Sequence, residues 1–103
     1  MLNKNLKIFI QNLIKEAGME KLPNDLQKQI YNDLEVRLIQ RLYFFALNNL
    51  NENQIQELES LIKKGDQEEI TRFLLLNIKD YSRKSNEVLK KFKDDYLKVV
   101  KNI

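Results

Sequence analysis

The residues that could carry chemistry in this chain are few, and two of the most versatile types are missing. Its 103 residues include no cysteine and no histidine. Disulfides, thiolate nucleophiles and zinc sites built from cysteine and histidine are therefore excluded, and the usual general base near neutral pH is absent as well. Any catalysis would have to rest on carboxylates, lysines, tyrosines or serines.

Carboxylates form three close pairs along the sequence, namely Glu57/Glu59, Glu68/Glu69 and Asp94/Asp95. Side chains one or two positions apart on a helix diverge around its axis, so these pairs do not converge on one ion or substrate. The sequence contains no glycine-rich phosphate loop, and no lysine, tyrosine or serine has a recognisable partner for nucleophilic catalysis. We therefore predict that the protein is not an enzyme, and we infer no catalytic residue, metal site, cofactor or small-molecule substrate.

Arg37 and Arg41 lie one helical turn apart beside the apolar residues Leu38 and Leu42. Two roles are open to such a pair. In a structural role, the aliphatic stems follow buried surface and the guanidinium groups meet carboxylates of a neighbouring helix. In a functional role, the two arginines bind an anion or an acidic partner helix.

The longest apolar stretch covers residues 34–50 and contains the aromatic triplet Tyr43-Phe44-Phe45. Successive helical residues are about 100° apart, so the three rings point in three directions. Either all three are buried within one molecule, or one of them contacts a partner, since exposed apolar surface of this kind usually marks an interaction site. The residues predicted to bind a protein partner or a second copy, on this helix and the last one, are Tyr43, Phe44, Leu47, Val99 and Val100.

Positive charge is concentrated near the C-terminus. The chain carries a net charge of +3, and residues 79–103 hold eight basic and four acidic side chains. The candidate basic patch comprises Lys84, Lys90, Lys91, Lys93, Lys98 and Lys101. These lysines are either the solvated face of an amphipathic helix or, in the alternative function, a surface that binds nucleic acid.

Five helices are predicted to position these side chains. Two glycines and one proline are too few for the turns of a β-rich fold, and apolar residues recur at steps of three and four. Gly18 and Gly65 are predicted to end the first and third helices. The predicted helices cover residues 4–17, residues 23–50, a third beginning at Asn51, a fourth opened by Asp66, and residues 83–102 after a cap at Ser82 or Ser85.

Several short motifs resemble a family of short all-helical proteins from ultrasmall candidate-phyla bacteria, which is classed as a domain of unknown function. They are Leu22-Pro23 before a long helix, Gln40-Arg41 within it, and Gly65-Asp66 followed by Glu69 and Phe73-Leu74. The resemblance covers roughly residues 12–98. Such sequences carry a proline in the last linker, and Lys79-Asp80-Tyr81 departs from that pattern. The resemblance implies an all-α fold and, because the family has no established activity, no site residue.

Taken together, the sequence predicts one all-α domain over residues 1–103, an irregular bundle of about five helices with a long central second helix. The predicted function is a non-catalytic protein–protein interaction or structural module, homodimeric in one version, and the alternative is a nucleic-acid-associated protein. The start of the chain lacks the continuous apolar region of a signal peptide, and no apolar run is long enough to cross a membrane, so we expect a cytoplasmic protein.

Overall fold

Helices account for almost all of residues 4–101, the part of the chain that the computed structural model describes. Within that range there are five α-helices and no β-strand: α1 (Lys4–Glu16), α2 (Asn24–Asn48), α3 (Glu52–Lys64), α4 (Gln67–Asn77) and α5 (Tyr81–Lys101). A short 3-10 turn, Met19–Lys21, lies between α1 and α2. The predicted all-α bundle with a long second helix is confirmed.

Local hydrogen bonds and one glycine set both ends of α3 and the start of α4. The Asn51 side chain accepts a hydrogen bond from the Gln54 N–H, and the Gln54 side chain accepts one from the Asn51 N–H, each over 2.9 Å. This reciprocal capping box begins α3. Gly65 ends α3 with a left-handed φ of 77°, which glycine adopts without a Cβ clash. Asp66 then begins α4 by accepting hydrogen bonds from two backbone N–H groups.

The last helix begins two residues before its predicted start. We expected a serine cap at Ser82 or Ser85 and a helix from about residue 83, but α5 begins at Tyr81. Asp80 has a left-handed φ of 56°, and its carbonyl accepts a hydrogen bond from the Lys84 N–H over 3.0 Å. The Tyr81 ring, at the first position of the helix, packs against an apolar cluster, and both serines lie inside the helix. Residue 102, the predicted last residue of this helix, lies outside the described residues.

Two apolar clusters lie along α2, one towards each end. The first joins α1, α2 and α5 and contains the buried residues Ile10, Leu13, Ile14, Leu34, Leu38, Leu42 and Phe92. The second joins the C-terminal end of α2 to α3, α4 and the residue that follows α4, and contains Ala46, Leu58, Ile70, Phe73, Leu74 and Ile78. Because α2 supplies buried residues to both clusters, it is the scaffold of the fold.

The molecule is elongated along the direction that α2 spans. Its extents are 44 × 24 × 18 Å, and its radius of gyration of 14.9 Å exceeds the roughly 13 Å expected for a compact chain of this length. A helix of 25 residues is about 37 Å long, so α2 is nearly as long as the molecule. The other helices cover parts of its surface and leave a strip exposed. No helix within residues 4–101 combines the length and the apolar character that crossing a membrane requires.

Candidate binding groove

The aromatic triplet of α2 diverges as its spacing predicts. Phe45 packs in the second apolar cluster, with its ring centroid 6.0 Å from that of Tyr81. Tyr43 is half-buried, and its hydroxyl donates a hydrogen bond to the Glu59 carboxylate over 3.3 Å. Burial, together with that carboxylate, raises the pKa of Tyr43 above its ordinary value. Phe44 is 64% exposed and contributes to neither cluster.

Helix α5 runs antiparallel to α2, and polar contacts hold the two helices together beside Phe44. The Arg41 guanidinium donates a hydrogen bond to the Asp95 carboxylate over 3.2 Å, and Lys91 Nζ lies 3.6 Å from the same carboxylate oxygen. The Arg41 guanidinium carbon also lies 5.8 Å from the centroid of the Phe92 ring, a cation–π distance. Arg41 therefore contacts both a carboxylate and an aromatic ring of α5.

A groove follows this seam on the surface of the molecule. It consists of two adjoining depressions of about 380 and 540 Å³ that share Arg41 and Phe44. From here on it is called the α2–α5 groove. Helix α2 lines it with Arg37, Gln40, Arg41, Phe44, Phe45 and Asn48, and α5 lines it with Lys84, Glu87, Val88, Lys91, Phe92, Asp95, Tyr96 and Val99.

Positive charge predominates in the α2–α5 groove. Four of its lining residues are basic, namely Arg37, Arg41, Lys84 and Lys91, and two are acidic, namely Glu87 and Asp95. Both acidic residues already have cationic partners, because Glu87 is 3.0 Å from Arg83 and Asp95 is shared by Arg41 and Lys91. The hydrogen bond from Arg41, reinforced by Lys91, lowers the pKa of Asp95 below its ordinary value. Asp95 is thus held in its charged form at neutral pH, and both carboxylates of the groove already have cationic partners.

The structure brings together only part of the predicted partner-binding set. Phe44 and Val99, which is 60% exposed, line the same depression of the groove. Tyr43 lies on another side of α2, in a separate apolar depression against α3 that Ile39 and Ile62 also line. Leu47 and Val100 are partly buried and line neither depression of the groove.

Of the two roles considered for the arginine pair, the structure shows the structural one for Arg41. Arg41 meets a carboxylate of a neighbouring helix through Asp95, as expected for a structural residue. Arg37 instead pairs with Asp33 on its own helix, with Arg37 Nε 3.1 Å from the carboxylate. Side chains of both arginines line the groove, and the Arg37 side chain is 62% exposed. Arg37 is therefore the more accessible cation to an approaching group.

The six lysines of the candidate basic patch lie in different environments and do not form one surface. Lys84 and Lys91 line the groove. Lys93 forms an ion pair with Glu16 of α1, over 3.0 Å, and so helps to join α1 to α5. The remaining three are exposed and lie on helical positions that point away from buried Phe92, namely Lys90, Lys98 and Lys101.

One exposed apolar pair was missed in the sequence. Leu75 and Leu76 of α4 are 51% and 79% exposed, although their neighbours Phe73 and Leu74 are buried. Four consecutive apolar residues on a helix point in different directions, so the argument applied to the aromatic triplet would have identified this pair too. It lies outside the α2–α5 groove, and this makes Leu76 useful as a matched control below. Among the described residues no group of three or more acidic side chains is arranged to hold a metal ion.

Comparison with known proteins places the chain in a family. Residues 13–96 match the profile of a protein family described as "Protein of unknown function (DUF5663)". Because the match covers most of the chain, the protein belongs to this family. No curated protein and no solved structure matches the chain.

Proposed function

We propose that this protein is a non-catalytic protein-binding module whose contact surface is the α2–α5 groove. The observation that carries the proposal is the placement of Phe44 and Val99, which are 64% and 60% exposed and line one depression together. Residues buried at protein interfaces are enriched in aromatic side chains and arginine, and the largest contributions come from such residues in pockets near the centre. The groove offers both types side by side.

The contacts that Arg41 makes within the groove also support a binding role. Phe92 is buried beneath Arg41, and Asp95 holds the same guanidinium from α5. A partner would therefore meet an arginine that already has two contacts within its own molecule, and less conformational entropy is lost on binding when the contact residues are pre-organised. Phe44 has only two side-chain torsions to immobilise, so it too costs little entropy to order.

The absence of catalysis is part of the proposal. It rests on the lack of cysteine and histidine and on carboxylates that serve as helix caps and ion-pair partners, such as Asp66 and Asp95. We also propose, from the sequence, that the protein is cytoplasmic and comes from an ultrasmall bacterium.

Nucleic-acid binding is retained as the second candidate because Lys90, Lys98 and Lys101 are exposed on the outer positions of α5. Phosphate contacts of this kind give an affinity that falls steeply with salt. A mobility-shift assay with duplex DNA and with RNA at low ionic strength tests it. Retardation that is lost in the Lys90→Glu/Lys101→Glu variant would favour this candidate, and no retardation would reject it.

Site-specific cross-linking tests the proposed function directly, because the chain contains no cysteine to interfere. A single cysteine is introduced by Gln40→Cys, which lies in the groove, and a control cysteine by Leu76→Cys on α4. Each is labelled with a benzophenone and irradiated in a lysate of the source cells. The groove position is expected to yield a discrete cross-linked protein, or a covalent dimer if the partner is a second copy. Absence of a product at position 40, or equal products at both positions, would contradict the proposal.

A further inference from the structure

We infer that the partner inserts an acidic amphipathic helix into the α2–α5 groove. This inference rests on the proposed function and specifies the chemistry of the partner. It is drawn from three features of the groove: its length, the distribution of its charges on both rims, and the sharing of one carboxylate by two cations.

The dimensions of the groove suit a helix. From Arg37 to Asn48 the groove follows α2 for about 17 Å, which is about three helical turns. Its apolar positions lie along this length, with Val99 towards one end, Phe44 in the middle and Val88 beyond it. An amphipathic helix recognises such a groove by apolar residues spaced three, four and seven positions apart on one face.

Cations flank the apolar positions on both sides. Arg37 and Arg41 belong to the α2 rim, and Lys84 and Lys91 belong to the α5 rim together with Glu87 and Asp95, which already have cationic partners. A helix lying between the rims would therefore place both borders of its apolar face beside positive charge. Carboxylates on those borders complement the groove, whereas lysines there would face like charges, which is costly at an interface.

The shared carboxylate leaves one cation available. Asp95 contacts both Arg41 and Lys91, at 3.2 and 3.6 Å, while Arg41 alone is also held by the Phe92 ring. Lys91 can turn towards a carboxylate of the partner, and Asp95 still keeps its hydrogen bond with Arg41. Binding then adds an ion pair without leaving a carboxylate of the groove unpaired.

The same charges argue against a second copy seated face to face on this groove. A two-fold contact places the same surface of both molecules together, so four basic and two acidic side chains would meet an identical set. An acidic helix removes this excess of positive charge, whereas a second groove doubles it.

Two synthetic peptides test the inference with the full-length protein. Each is a stabilised helix of about five turns with leucines three and four residues apart on one face. One peptide has glutamates on both borders of this face, and the other has lysines at the same positions. Fluorescence anisotropy is expected to show that the glutamate peptide binds at least about tenfold more tightly than the lysine peptide, with an affinity that falls as salt is added.

Two charge-reversal variants test whether the glutamate peptide binds in the α2–α5 groove. The Lys84→Glu/Lys91→Glu variant is expected to weaken binding of the glutamate peptide by at least about tenfold, since both lysines lie on the α5 rim. The Lys90→Glu/Lys101→Glu variant has the same net charge but alters the outer positions of α5 and is expected to bind normally. Circular dichroism confirms that both variants are folded.

The outcomes separate this inference from the proposed function. Equal affinity for the two peptides, no binding of either, or equal losses in the two double variants would overturn the acidic-helix inference. So would a homodimer, seen by sedimentation velocity at micromolar concentration, that Phe44→Glu dissociates. In each of these cases a cross-link restricted to position 40 would leave the proposed function standing. Loss of that cross-link would overturn the proposed function itself.

Discussion

The guanidinium of Arg41 is held between two groups of the last helix, the Asp95 carboxylate at 3.2 Å and the Phe92 ring centroid at 5.8 Å. This contact joins residues 54 positions apart in the sequence. It places a positive charge on the wall of the groove that exposed Phe44 also lines. The residue that attaches α5 to the central helix is therefore also part of the proposed contact surface.

The Arg41–Asp95 contact predicts a pH dependence of stability. Because the pKa of Asp95 is lower in the folded protein than in the unfolded chain, the contact stabilises the fold fully above the unfolded value of about 3.9. Its contribution is lost as the pH falls through the lower folded pKa. Asp95→Asn should therefore lower Tm near neutral pH and have no effect in strong acid. Thermal melts at several pH values check this, with Asp94→Asn as the control of equal charge. A difference in Tm that grows in acid would contradict the assignment.

The two apolar clusters are predicted to unfold together because both include residues of α2. Leu38 and Leu58 are completely buried, one in each cluster, and truncating such a leucine to alanine typically costs about 2–5 kcal/mol. Leu38→Ala and Leu58→Ala should each shift one cooperative urea transition to lower denaturant, while exposed Val36→Ala should change it little. Two separate transitions, each sensitive to only one of the leucines, would show that the clusters are independent.

The capping box at the start of α3 is predicted to contribute measurably to stability. Asn51→Ala removes the acceptor for the Gln54 N–H, and the loss of such a cap typically costs about 0.5–2 kcal/mol. Asn53→Ala is the matched control, because it makes the same substitution at an exposed position in the first turn of α3. Equilibrium unfolding in urea measures both. Equal stability of the two variants would mean that the cap is not needed.

Adjacent phenylalanines on α2 are predicted to behave in opposite ways. Phe45 packs against Tyr81 in the second cluster, so Phe45→Ala should lower the free energy of unfolding by at least about 2 kcal/mol. Phe44→Ala should change it by less than about 0.5 kcal/mol, since Phe44 is exposed. Urea unfolding compares the two. A large loss of stability in Phe44→Ala would show that this ring belongs to the core.

Local and periodic features of the fold were predictable from the sequence. Helix-ending glycines, the Asn51 and Asp66 caps and the apolar stripes act through neighbours within one or two turns, so their patterns are visible in the chain itself. The start of α5 was not predictable in this way. There the Tyr81 ring contacts Phe45, a residue far away in the sequence, and no local pattern in the chain reveals such a contact.

The candidate site was predictable only in part for the same reason. The divergence of Tyr43, Phe44 and Phe45 follows from helix geometry, but which ring remains exposed depends on where α3 and α5 pack. Likewise, the sequence grouped Lys84 with Lys93, whereas the fold places one in the groove and pairs the other with Glu16.

Affinity capture with two matched variants tests the binding role of the groove most directly. Wild-type protein, Phe44→Glu and Leu76→Glu serve as baits, since both substitutions put a carboxylate at an exposed apolar position and only Phe44 lies in the groove. A captured protein is then purified and titrated against all three. We expect wild type and Leu76→Glu to bind it equally and Phe44→Glu to bind at least about tenfold more weakly, with all three equally folded. Equal affinity of the three proteins would contradict the role of the α2–α5 groove as the contact surface.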